Sequence, residues 1–215
     1  MKINFKQITF CLLVGAFLST TLKAQETDEP RFGFRGGLNF TNLNGGDGDK
    51  TDQLLGFNLG VFGKFPIGEV FSIQPELYYT TKGSKVTYSR PILGTTVEGT
   101  VKYKLDYIEL PIMFVANFAK NINVQLGPYA SYLLKSKANN ETPESLFTFN
   151  EKDYNKLDAG LAGGVGIDIG NLGIGARYYY GFLKVGNDGD IQNTLDRNPN
   201  STNSVFNVYV AFSIL

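Results

Sequence analysis

Six ionisable residues fall on the small, polar side of an apolar alternation: Arg35, Lys64 and Arg177 as cations, Glu76, Glu109 and Asp158 as anions. Two carboxylates brought together can share acid–base work or line an ion path, and Glu76 with Glu109 is the candidate pair for that chemistry. Three cations and three anions enclosed together are costly unless each meets an opposite charge, so the same six residues can instead form a salt-bridged, hydrogen-bonded plug. The catalytic repertoire is narrow because the chain contains no His. A Ser-His-Asp triad, a Cys-His dyad and a His-ligated zinc site are excluded whatever the fold. Carboxylate or Ser-Lys chemistry is all that is left to an enzyme. The expectation is a non-enzymatic protein with no catalytic, cofactor or metal site.

The elements that place these charges have a period of two. Leu157, Ala159, Leu161, Val165, Ile167 and Ile169 share one face, opposite Asp158, Gly160, Ala162, Gly164, Gly166 and Asp168. Leu172 to Phe182 repeats the rule with Arg177 on the small face, and only Gly170 and Asn171 separate the two segments, which predicts a tight hairpin. Six more alternations run from Phe32 to Thr41, Phe57 to Phe65, Phe71 to Thr80, Tyr107 to Asn117, Ile122 to Tyr132 and Phe206 to Ile214. Strands of about 9 to 13 residues are expected, the length a tilted transmembrane strand needs. Short connections at 66–70, 118–121 and 170–171 alternate with long polar ones at 44–54, 83–102, 136–156 and 184–203, although Lys85 to Arg90 and Thr96 to Tyr103 can prolong two strands as a hairpin. That alternation suits an outer-membrane barrel with short periplasmic turns and long extracellular loops.

The fold expected is therefore all-β: an eight-stranded antiparallel up-and-down transmembrane β-barrel with a filled polar interior. A soluble lipocalin-like carrier is the alternative, with the apolar face inside. Its outer face would need many Lys, Glu, Asp and Arg, whereas the polar face here is mostly Gly, Ala, Ser, Asn and Tyr. Small residues suit the narrow interior of eight strands, which side chains just fill, so the plug is favoured over the ion path or the carboxylate pair. Phe65, Phe71 and Phe118 beside the short turns, and Tyr79, Tyr132, Tyr178, Tyr180 and Phe182 toward the long loops, match two interfacial girdles.

The N-terminus reads as an export signal over residues 1–24. Lys2 and Lys6 precede an apolar stretch from Ile8 to Leu18, and small or polar residues lead to Ala24. The barrel domain then spans 25–215. Cleavage after Ala24 removes Cys11, the only cysteine, together with Lys2, Lys6 and Lys23. A chain with 20 basic and 20 acidic residues thereby reaches a net charge of about −3. That balance leaves no electrostatic footprint for nucleic acid. Asp47, Asp49 and Asp52, and Asp188 with Asp190, raise the question of calcium. The first group lacks the EF-hand order, with Asp52 where the loop needs Gly and no Glu at its twelfth position, so solvated loops are the better reading.

The runs GFRGGLNFTNL, FSIQPELYYTTKGSK, YKLDYIELPIMF, VQLGPYASYLL and LDAGLAGGVGIDIG, followed by GARYYYG and a closing strand, together resemble the PorT-like outer-membrane β-barrel family of Bacteroidetes. The resemblance covers residues 30 to 215, and its most specific pieces are Gln74 to Leu77 and Leu105 to Pro111. It implies the outer membrane of a Gram-negative bacterium, contact with lipid and lipopolysaccharide, and a structural or accessory envelope role. The namesake's link to type IX secretion implies partners among envelope or secretion proteins; the family brings no catalytic or binding residue. A loop-based surface binder, an adhesin or ligand receptor, is the alternative function. The chain ends in Leu215 where such barrels often end in Phe, which leaves the insertion signal to Phe212 and Tyr209.

Overall fold

Alternation gives each segment one face suited to lipid and one suited to a crowded interior. In the computed structural model, which describes residues 29–44, 50–92, 95–118, 121–140, 155–185 and 201–214, eight strands satisfy both faces by closing on themselves. They are β1 Arg31–Asn44, β2 Lys50–Pro66, β3 Phe71–Ile92, β4 Thr95–Asn117, β5 Ile122–Asn140, β6 Leu157–Ile169, β7 Leu172–Lys184 and β8 Thr202–Ile214. Each pairs antiparallel with the next, and β8 closes on β1 from Phe32 opposite Ile214 to Asn44 opposite Thr202. Closure leaves no unpaired edge in the wall, as an apolar medium requires. The expected signal segment lies outside the described residues.

Burial is inverted relative to a water-soluble protein. Leu59 is 61% exposed, Leu126 60% and Val165 55%, while Arg177, Glu76 and Glu109 are buried inside. The soluble lipocalin-like alternative fails here, because it would bury the first group and solvate the second. Phe71 and Phe118 are exposed beside the short turns, and Phe65 stacks edge-on against Phe32 at 5.7 Å. At the other rim Tyr79, Tyr132, Tyr178, Tyr180 and Phe182 are exposed. Replacing Val165 by Arg should impair insertion by about 2 to 4 kcal/mol, because the cation would sit in the apolar band. Folding yield into lipid vesicles measures this, and a yield equal to wild type would place Val165 outside the bilayer.

Several strands are longer than their alternations suggest. β6, β7 and β8 have 13 residues each, whereas β3 and β4 reach 22 and 23. The connection expected at 83–102 is therefore mostly a hairpin, paired without interruption from Tyr78 opposite Glu109 to Ile92 opposite Thr95. β2 joins its base, with Lys50 to Gln53 opposite Thr87 to Ser84, and β5 continues alongside to Asn140 opposite Val101. The barrel thus rises on one side into a four-stranded extension. Register shifts between Gln53 and Asn58 and at Asp106/Tyr107 mark its base, where β-bulges re-aim a strand. Gly83, at φ 140, bends β3 there in a conformation open to glycine.

Candidate functional site

The lumen is the natural place to look for chemistry, and it is built from inward positions of all eight strands. The QPEL segment of β3 turns Gln74 and Glu76 inward and Leu77 outward. Glu76 is the hub of the lower half. Arg177 of β7 grips it in bidentate fashion, Nη1 at 2.6 Å from Oε2 and Nη2 at 2.8 Å from Oε1. Arg35 of β1 donates from Nη1 to Oε1 at 3.0 Å, Gln74 at 2.5 Å, and the Tyr78 hydroxyl to Oε2 at 2.7 Å. Arg35 also lies over the Tyr209 ring at 3.8 Å, which covers its charge with a π-face. One carboxylate between two guanidiniums leaves this triad with a formal charge of +1.

A second triad of opposite sign occupies the upper half. Lys82 of β3 reaches Glu109 of β4 at 2.6 Å and Asp158 of β6 at 2.8 Å, with both carboxylates and the ammonium buried. Ser131 donates to Glu109 at 2.9 Å, and Asn203 to Asp158 at 3.2 Å. The rings of Tyr129 and Tyr107 lie 4.5 and 5.3 Å from the ammonium. This triad carries a formal −1, so the two balance. Tyr179 and Tyr129, packed edge-on at 5.5 Å, separate them. The Tyr179 hydroxyl accepts from Arg177 at 3.3 Å, and the Tyr129 hydroxyl donates to Asp158 at 3.5 Å.

The six residues singled out in the sequence are thus distributed differently from a single network. Arg35, Arg177 and Glu76 come together; Glu109 and Asp158 come together around Lys82. Lys64 joins neither group and pairs with Asp168 at 3.2 Å near the short-turn mouth, partly exposed. The candidate pair of Glu76 and Glu109 is not a carboxylate dyad, since each is held by a different cation. Lys82 is the residue that sequence reasoning missed. The inward positions 72, 74, 76, 78 and 80 continue to it, but the following Gly83 and Ser84 resemble the start of a loop. Asp47, Asp49, Asp188 and Asp190 lie outside the described residues, and Asp52 is exposed on β2.

The short-turn mouth narrows toward this filling. At the short turns a polar vestibule of about 550 Å³ is lined by Arg31, Lys64, Asn117, Asn121 and Asp168. Above it, between Arg35, Gln74, Asn123 and Gln125, the space shrinks to about 30 Å³, room for a water or two. Gln125 spans that neck, accepting from Arg177 at 2.6 Å and donating to Asn123 and to Tyr209 at 2.6 and 2.9 Å. Toward the long loops, Leu105, Tyr107, Leu133 and Val185 form an apolar cap, with Leu43 packed against it. Small residues make the fit possible: a Cβ on Gly164 would meet Arg177 Cγ at 2.6 Å, and one on Gly166 would meet the Tyr209 hydroxyl at 2.8 Å. Gly166→Leu should therefore lower the yield of folded barrel several-fold, read as the band that migrates faster unheated than boiled on a detergent gel. An unchanged yield would show that the interior has slack.

An eight-stranded barrel with a packed polar interior and an apolar belt is an outer-membrane architecture, and comparisons with known proteins agree. Neisserial surface protein A is similar in fold, with a TM-score of 0.52 at 13% identity over 87% of this chain and 100% of that one. Ail, the attachment invasion locus protein of Yersinia pestis, aligns with a TM-score of 0.46 at 12% identity, covering 87% of this chain and 100% of its own. OprG from Pseudomonas aeruginosa aligns at 0.45 and 13%, covering 86% and 94%. No curated protein matches the chain in sequence. A family model described as the outer membrane protein beta-barrel domain matches residues 23–186, and the chain belongs to that family of outer-membrane barrels.

Proposed function

We propose that this barrel works through its long-loop face, as a structural or accessory component of the envelope, and that its lumen serves stability. The observation that carries this reading is the filling of the lumen by two charge-balanced triads between an apolar cap and a neck of about 30 Å³. Packing of the lumen among the described residues leaves little room for solutes, and each carboxylate of the two triads is already engaged by a cation, which speaks against an enzymatic role. Among the described residues the extension of β2 to β5 is the largest feature that barrel closure does not require, so partner contact is assigned to it.

The resemblance of the QPEL and LDYIELP segments to PorT-like barrels of Bacteroidetes supports a role in moving proteins to the cell surface, with envelope or secretion proteins as partners. Deleting the gene and comparing released, surface-attached and periplasmic proteins tests it. Cargo held in the periplasm, restored by the full chain but not by a variant lacking residues 88–99, is the expected outcome. An unchanged distribution removes the secretion role. A second reading, a surface binder, is favoured by the length of β3 and β4. It predicts that the same truncation abolishes attachment to a surface ligand while protein export is normal.

A further inference from the structure

At the short-turn mouth the inward face of β1 and β2 brings three cations together. Arg31 stands directly opposite Lys64 in the β1–β2 ladder, and Gly33, the inward residue between Arg31 and Arg35, puts no side chain between them. Like charges directly opposite in a sheet are unfavourable, so the Arg31 and Lys64 positions favour an anion beside them. Asp168 supplies part of it, held by Lys64 at 3.2 Å and by the Asn123 amide at 3.0 Å. Arg35 stands deeper, 4% exposed, and donates from Nη1 to Glu76 at 3.0 Å, while its buried Nε has no hydrogen-bond partner among the described residues. A guanidinium N–H left unpaired away from water costs free energy that an acceptor beside it recovers.

All three cations line the neck of about 30 Å³, and Asp168 is the one acid among the described residues that line it with them. The lower triad already carries a formal +1; Arg31 and Lys64 add two positive charges and Asp168 removes one, so the surroundings of the neck hold a formal excess of +2. Glu29 and Glu69 line the wider vestibule but not the neck. Room for a water or two suits the two oxygens of a carboxylate better than the four of a phosphate. The vestibule of about 550 Å³ outside the neck is large enough for the rest of a small ligand.

We propose that Arg31, Lys64 and Arg35 form a binding site for a carboxylate that enters through the short-turn mouth, with its oxygens in the neck and the remainder of the ligand in the vestibule. The carboxylate belongs either to a free small acid or to the end of a peptide chain, which present the same two oxygens. Arg31 and Lys64 are the contacts at the rim, and Arg35 is the donor at the inner end. The site lies at the opposite end of the barrel from the extension and does not depend on the reading above. It gives the short-turn face a binding role of its own, without passage through the lumen.

The test uses the isotope-labelled, folded barrel in phosphatidylcholine nanodiscs at low salt, and NMR follows the backbone amides of Asn171, Gly173 and Ser213, which line the neck. The probes are sodium acetate, N-acetyl-dialanine with a free terminal carboxylate, and the same peptide with that carboxylate amidated. Both carboxylates should shift these amides saturably, and the amidated peptide should not. Tighter binding of the acidic peptide than of acetate identifies a chain end as the occupant, and equal affinity a free small acid; either result supports the site. Arg31→Gln should weaken acetate binding about threefold, and Arg31→Gln with Lys64→Gln about tenfold. Asp168→Asn should tighten it about threefold, because the change releases Lys64 and removes the competing anion, a gain that loss of structure would not produce. The site is overturned by the absence of a saturable shift with either carboxylate, by equal shifts with the amidated peptide, by unchanged affinity in Arg31→Gln, or by Asp168→Asn binding no more tightly than wild type. If a variant does not fold, the comparison of acid with amide on the wild-type barrel decides alone.

Discussion

Glu76→Gln should destabilise the folded barrel by about 3 to 5 kcal/mol, measured by urea unfolding in lipid vesicles, because it removes the single negative charge held between two buried guanidiniums. The substitution keeps the side chain's shape and most of its hydrogen-bonding capacity, so packing loss contributes little. What remains is two cations, Arg35 and Arg177, in a space closed by the Gln125 neck on one side and the tyrosine pair on the other. The neck beside Arg35 has room for only a water or two to replace the lost carboxylate. Arg177→Met added to Glu76→Gln should then recover more than half of the loss, since it removes the better buried of the two stranded charges. A cost below about 1 kcal/mol for Glu76→Gln would mean that the lumen is hydrated and the triad is not what holds the wall in register.

Lys82→Met should cost a similar amount, about 3 to 5 kcal/mol, with the opposite sign of stranded charge. Glu109 and Asp158 would face one another without the ammonium that bridges them at 2.6 and 2.8 Å. The diagnostic variant is the triple one, Lys82→Met with Glu109→Gln and Asp158→Asn. A buried ion cluster replaced as a whole by neutral groups of similar volume is often nearly neutral for stability. The triple variant should therefore unfold within about 1 kcal/mol of wild type and retain the heat-dependent gel shift. If it is as unstable as Lys82→Met alone, the charges themselves contribute stability, and the desolvation argument for this lumen fails. Arg35 and Arg177 belong to a separate triad, so the two sets of substitutions should be additive.

Much of this was readable in the order of residues. The face of nearly every strand residue followed from period-two alternation: Phe34, Leu59 and Val165 outward, Arg35, Glu76 and Arg177 inward. The short turns at 170–171 and 118–121 were equally plain, being where alternation stops for a few polar or small residues. Lys82 was not, since the GSK run that follows it resembles a loop, and its inward direction depends on β3 continuing as a strand past the girdle. The long hairpin was only half visible, because two polar strands that pair beyond the membrane need no apolar face and so lack the strongest strand signal.

Alternation along one strand depends on backbone geometry alone, so the sequence by itself determined which side chains point into the barrel and which meet lipid. Which inward side chains meet one another was decided only by the closed barrel. Glu76 lies 41 residues from Arg35 and 101 from Arg177, and Lys82 lies 76 from Asp158. Those separations become contacts only when strand tilt and stagger place distant residues at one height. That is why six charges read as one plug, joined by Lys82 and Asp168, became two triads and a rim pair, with Lys64 at the mouth and Lys82 between Glu109 and Asp158.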